Sequence, residues 1–323
     1  MDAHRSAERI GLYPPIEPYR TGMLDVGDGH SMYYEECGRA DGVPVVAIHG
    51  GPGGGAAPAM RRFFDPKRYR IIVYDQRGCG RSRPFASVMA NDTDRLRGDL
   101  ERLREALGVE RWLVFGGSWG ATLALEYARR HRERVLAMVL RGVFACTTAE
   151  LAWFYVRGAN MMFPDAWARL VEPLSATERE DVLRAYHARV MIDNPERRRR
   201  DVIAWARWES SLISMSAGGA AGAPDPRRSD ALARIETHYF VNKGFLERDG
   251  ALLDDTEHLR DLPGVIVQGR YDMVTPARTA WTLKKSWDRA DLEIVPDAGH
   301  AAGEPGVIDA LVRATDRFAA ELS

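Results

Sequence analysis

Gly116-Gly117-Ser118-Trp119-Gly120 is the stretch on which the fold turns. A short apolar run, Trp112 to Phe115, leads into it, and a helical pattern from Ala121 to His131 leaves it. A serine in such a strand–turn–helix junction is held in a strained conformation, and the flanking glycines let neighbouring chains pass closely. Its Oγ then projects over the carboxyl edge of a sheet, near the N-terminus of a helix. The pattern predicts Ser118 as a nucleophile. It also predicts the backbone N–H of Trp119 as one donor to a developing oxyanion.

Similar apolar runs lie on either side. Val43 to Ile48 ends at His49-Gly50-Gly51, Tyr69 to Tyr74 at Asp75, and Val135 to Leu140 at Arg141-Gly142. Val265 to Gln268 ends at Gly269, and Leu292 to Val295 at Pro296. They are short, β-branched and bounded by Gly, Pro or Asp, which predicts buried strands. Asp94 to Leu107 carries apolar residues at helical spacing and closes at Gly108. Strand alternating with helix predicts an α/β fold with a mostly parallel central sheet flanked by helices. Gly22 to Cys37 reads as an antiparallel hairpin turning at Gly27-Asp28-Gly29. From about Phe144 to Phe245 the strand pattern stops, and Trp, Met, Arg and Ala recur at helical spacing. The expected organisation is a core of residues 1–143 and 246–323 with a helical cap, 144–245, inserted between two core strands. Within the cap, Ser216 to Arg228 is rich in Gly, Ala and Pro and reads as a loop.

The acid and base of a serine nucleophile of this kind follow it in the order Ser, Asp or Glu, His. Asp272 stands just past the strand ending at Gln268, and His300 just past the strand ending at Val295. Both fall at carboxyl ends of strands, so loops would bring them to Ser118. His300 is predicted as general base, with Asp272 fixing its tautomer. Asp297 is a rival acid, but lies too close in sequence to His300 to reach its ring easily. The second oxyanion donor should come from the glycine-rich loop His49 to Gly55, where backbone can approach a substrate closely. Gly51 is the first choice and Gly50 the next. No Lys-Ser/Thr follows, so this is not a phosphate-binding P-loop. His49 precedes the nucleophile and reads as a structural, hydrogen-bonding histidine.

Composition sets limits. The 323 residues are 45% hydrophobic and 28% charged, with a formal net charge of −1. No global charge favours a nucleic acid or a membrane surface. The basic run Arg197 to Arg200 reads as a solvated helix face. Cys37, Cys79 and Cys146 are odd in number and widely spaced, which fits neither a disulfide framework nor a CxxC metal site. There is no HExxH and no ligand-spaced cluster, so no metal or cofactor is expected. The N-terminus lacks an apolar signal core, and no apolar run is long enough to span a bilayer. A cytoplasmic setting is the expectation.

Taken together, these segments resemble the proline iminopeptidases of the α/β-hydrolase superfamily over most of the chain. His49 to Gly55 is similar to that family's HGGPGGG loop, and Asp75 to Ser82 to its DQRGCGRS segment. Gly116 to Leu125 resembles its elbow, and Leu140 to Phe144 its LRGIF segment. A serine at the elbow separates the chain from the epoxide-hydrolase and dehalogenase branches, which use aspartate there. Trp205 to Glu209 resembles the family's WxxWE, and Ala233 to Phe240 its ARIExHYF. The resemblance implies that Glu209 and Glu236 bind the free α-amino group of a short peptide. The alternative for both is pairing with cap arginines. Phe144 and aromatic neighbours would line a pocket for the pyrrolidine ring, or pack in the core. Ala145 to Ala152 and Ser214 to Arg228 depart from the family pattern. The implied activity is release of N-terminal proline. An esterase, amidase or lactone hydrolase with the same triad is the alternative, and a non-catalytic binding protein a third. The glutamate pair separates the first two.

Overall fold

The computed structural model describes residues 9–213 and 224–322. The apolar runs are strands: β1 (Arg20–Gly27), β2 (His30–Gly38), β3 (Val43–Ile48), β4 (Tyr69–Tyr74), β5 (Trp112–Ser118), β6 (Val135–Val143), β7 (Gly264–Gly269) and β8 (Ala290–Val295). Among the described residues they form one eight-stranded sheet, in the order β1-β2-β4-β3-β5-β6-β7-β8. β1 and β2 make the expected hairpin, with Gly27, Asp28 and Gly29 all at positive φ. β2 also runs antiparallel to β4, and the remaining pairings are parallel.

Helices α1 (Thr93–Ala106) and α2 (Trp119–Arg130) flank β5 in sequence. Between β6 and β7 come α3 (Thr148–Tyr155), α4 (Ala159–Met162), α5 (Pro164–Val171), α6 (Val182–Val190), α7 (Pro195–Ile213), α8 (Pro226–Val241) and α9 (Ala251–Asp254). Helix α10 (Ala277–Lys285) joins β7 to β8, and α11 (Pro305–Glu321) follows β8. Alternate residues of each central strand face opposite layers. Val46, Ile48, Ile72 and Val114 pack with Leu100, Leu103 and Leu123 on one face. Val45, Ala47, Ile71 and Leu113 pack with Val307, Leu311 and Phe318 of α11 on the other. With both faces covered, a parallel sheet can be apolar throughout.

The structure corrects two local readings. Residues 216–223 of the expected loop lie outside the described residues, but its end is helical. The Asp225 carboxylate accepts the Arg227 N–H at 3.0 Å, and Pro226 opens α8. Asp-Pro is a strong helix start, and it outweighs the Gly/Ala/Pro composition before it. The arginine run is likewise not uniform. Arg197, Arg199 and Arg200 are exposed, but Arg198 is buried. It grips Asp230 of α8 through two bonds of 2.6 and 2.7 Å and the carbonyls of Ile192 and Asp193. Planar bidentate geometry is what lets an arginine be buried at a helix–helix contact.

Among the described residues no helix is long and apolar enough to cross a membrane.

Candidate active site

The chain passes from β3 to β4 on one side, then crosses back to place β5 on the other side of β3. In an open α/β sheet such a reversal leaves a crevice at the carboxyl ends of the strands. The glycine loop leaves β3 at that edge, and Ser118 ends β5 beside it.

Ser118 has φ 58° and ψ −126°, a conformation unfavourable for a residue with a Cβ. Close packing holds it there. A Cβ on Gly120 would collide with the Ile48 carbonyl oxygen, and one on Gly116 with the Gly120 carbonyl oxygen. Only glycine lets α2 begin this close to β3 and β5. Trp119 is the first residue of α2. Its indole is fully buried and donates to Gln76 Oε1 at 3.0 Å. Gln76 also donates its side-chain amide to the His49 carbonyl at 2.8 Å and its backbone N–H to His49 Nε2 at 3.0 Å. His49 is therefore a structural acceptor, as expected. Asp75 accepts the Ala56 N–H at 2.7 Å. The segment after β4 thus ties the glycine loop to the elbow.

His300 and Asp272 meet as the sequence predicts. His300 Nδ1 lies 2.8 Å from Asp272 Oδ2, and both side chains are buried. The carboxylate also accepts the N–H groups of Val274 and Thr275 at 3.0 and 2.7 Å, the Thr275 hydroxyl at 3.0 Å and the Gln268 amide at 3.1 Å. Burial alone would raise the Asp272 pKa, but the His300 charge and these bonds hold it below its ordinary value. Burial lowers the His300 pKa, against the pull of Asp272. At neutral pH the imidazole is then neutral and able to accept a proton. The loop is fixed from two further sides: Arg141 Nη1 donates to the His300 carbonyl at 2.6 Å, and the His300 N–H donates to the Ile213 carbonyl of α7 at 3.0 Å. Asp297, the rival acid, is exposed and pairs with Arg9 at 2.7 Å.

One cavity of about 530 Å³ brings Ser118, His300, Gly50, Gly51, Phe144, Glu209 and Glu236 together. Both glutamates are buried, and among the described residues neither pairs with an arginine. Glu209 accepts the Tyr155 hydroxyl at 2.6 Å, and Glu236 accepts the Trp205 indole N–H at 2.7 Å. Tyr155 and Trp205 stack on each other, with centroids 4.8 Å apart at 17°. Phe144 lies edge-on to Phe240 at 5.6 Å, and both rings line the cavity. Burial pushes the Glu209 carboxyl up to about 8. Glu236 is raised well above its ordinary value, first by burial and then by the charge of Glu209. The two buried carboxyls thus share one cavity wall with no cationic partner among the described residues.

The sequence missed Tyr155, Thr275, Gln268 and Arg141 as parts of this site. Thr275 and Gln268 flank Asp272 within a few residues, which is a usable signal. Arg141 carried none beyond its place in the resemblance, and Tyr155 carried none.

Comparison with known proteins agrees with this geometry. The family described as alpha/beta hydrolase fold matches residues 43–306. A proline iminopeptidase of Xylella fastidiosa is 50% identical over 309 residues, covering 95% of this chain and 99% of that protein. One from Arabidopsis thaliana is 47% identical over 326 residues, covering 99% and 86%. The crystal structure of a Mycobacterium smegmatis proline iminopeptidase shares the fold, with a TM-score of 0.58 at 19% identity over 94% of this chain and 100% of that one. Half-identity along nearly the whole length, on a sheet whose elbow carries a strained serine, makes this chain a member of the proline iminopeptidase family of α/β hydrolases.

Proposed function

We propose that this protein releases N-terminal proline from short peptides through Ser118, His300 and Asp272. The observation that carries this reading is the pair of buried carboxyls, Glu209 and Glu236, in the cavity that also holds Ser118 and His300. An exopeptidase must recognise a charged terminus at a fixed distance from the scissile bond. The glutamates hold the substrate ammonium, while Phe144 and Phe240 contact the ring. Residues 144–245 act as the cap that brings these groups over the sheet edge.

Ser118 Oγ attacks the prolyl carbonyl as His300 takes its proton. The N–H groups of Gly51 and Trp119 receive the oxyanion. Collapse breaks the C–N bond, and His300 passes the proton to the leaving amine. Water then attacks the acyl-enzyme by the same route and frees proline and Ser118. The three cysteines are free and buried, which supports a reducing, cytoplasmic setting.

Prolyl, alanyl and N-blocked prolyl arylamides, compared with a simple aryl ester, test the substrate class. Prolyl arylamide is the preferred amide, and blocking its nitrogen lowers kcat/KM by about 10² to 10⁴, the loss of two charge-assisted bonds. A blocked substrate cleaved as well as the free one would transfer the reading to an esterase or lactone hydrolase.

The pH profile gives a second test. In the free enzyme burial raises Glu209 to about 8 and Glu236 well above its ordinary value, so the pair gains its charge only as pH rises. His300 is already unprotonated below its ordinary value. The acid limb of kcat/KM for prolyl arylamide therefore lies near pH 8, and that for a neutral aryl ester lies below about 6.5. Coincident limbs would remove the glutamates from substrate binding.

A further inference from the structure

The mouth of the cavity carries a cation that this chemistry leaves unused. Arg228, in the first turn of α8, lines the cavity beside Asp225, Ser229 and Leu232. It is exposed, and among the described residues no hydrogen bond or ion pair engages it. Its neighbours are engaged. Arg227 lies over the Phe85 ring at 4.6 Å, and Asp225 caps α8 by accepting the Arg227 N–H at 3.0 Å. The other cation on the wall, Arg141, is occupied by the His300 carbonyl at 2.6 Å. A cation in the first turn is unfavourable to its own helix, so α8 does not explain Arg228. Its charge reaches His49, which burial first and then Arg228 among nearby charges hold below its ordinary value. Arg228 shares the cavity wall with Gly50, Gly51, Gly54 and Gly55 of the glycine loop.

On the proposed reading the ammonium is held at Glu209 and Glu236, and the leaving group occupies the rest of the cavity, whose wall includes Arg228. In a dipeptide, the carboxylate is separated from the leaving nitrogen by one carbon. It therefore arrives with the leaving group. In a longer peptide, an amide or an arylamide, no charge stands at that point. We infer that Arg228 binds the C-terminal carboxylate of the leaving residue, so that dipeptides with a free carboxylate are the favoured substrates of this site. The inference rests on the prolyl-aminopeptidase reading.

The test compares prolylalanine, prolylalaninamide and prolyl arylamide in the wild-type protein, Arg228→Gln and Arg228→Lys. The readout is the ratio of kcat/KM for the free acid to that for the amide, which does not depend on the fraction of folded enzyme. The wild-type ratio is expected at roughly 1.5-fold to fivefold, the range for an exposed ion pair. It falls toward unity in Arg228→Gln, is largely kept in Arg228→Lys, and shrinks with added salt. Cleavage of the arylamide with equal rates for acid and amide overturns this inference alone, as does a ratio that survives in Arg228→Gln. Failure to cleave any prolyl substrate overturns it together with the aminopeptidase reading.

Discussion

Ser118→Ala loses turnover by a factor of about 10⁴ to 10⁶ while keeping its fold, as removal of a triad nucleophile does elsewhere. The strained backbone at this position is imposed by the contacts of Gly116 and Gly120, not by the serine hydroxyl. That hydroxyl makes no capping bond to α2. Alanine therefore inherits the same φ and ψ and removes only the attacking oxygen. Hydrolysis of prolyl arylamide and the melting temperature should be measured on the same preparation. Near wild-type turnover from folded mutant protein would sink the serine mechanism. An intact rate with a lowered melting temperature would sink it equally.

Glu209→Gln and Glu236→Gln each cut kcat/KM for prolyl arylamide about tenfold to a hundredfold. A charge-assisted hydrogen bond contributes roughly 1.5–3 kcal/mol, which sets that range. The amide oxygen of glutamine can still accept from Tyr155 or Trp205, so the aromatic frame keeps its partners. What is lost is the negative charge. A small neutral aryl ester has no ammonium, and its hydrolysis changes little. If ester and amide rates fall together, the glutamates hold the cap in shape and do not bind substrate. If neither rate falls, the aminopeptidase reading loses its main support.

Much of the fold was readable because its signals are local. Val43–Ile48 and Tyr69–Tyr74 coincide with their apolar runs, the first opening after Gly42 and the second closing at Asp75. The strand leading to the elbow ran three residues further than its apolar run, to Ser118 itself, because Gly116 and Gly117 give no side-chain pattern to follow. The pairing of His300 with Asp272 was legible from order along the chain, since each follows a parallel strand. Arg198 was not, because its partner Asp230 is 32 residues away on another helix. The same holds for Tyr155 and Glu209, which are 54 residues apart. Residues packed across two helices leave no period in the sequence, so the frame that orients the glutamates emerges only in three dimensions.

The buried carboxyl pair also enters the folding equilibrium of the empty protein. In the unfolded chain a glutamate ionises near its ordinary value, about 4.3. In the folded chain Glu209 holds its proton to about 8, and Glu236 is also raised. Over that interval the folded state binds more protons than the unfolded one, so stability falls as pH rises. The loss begins above the unfolded value and continues through the folded one. On the proposed function, the substrate ammonium supplies the positive charge that the departing protons remove, and it binds only the folded form. On that reading the substrate stabilises the native state as pH rises above the ordinary glutamate value, and the vacant enzyme is the form most exposed to heat and proteolysis.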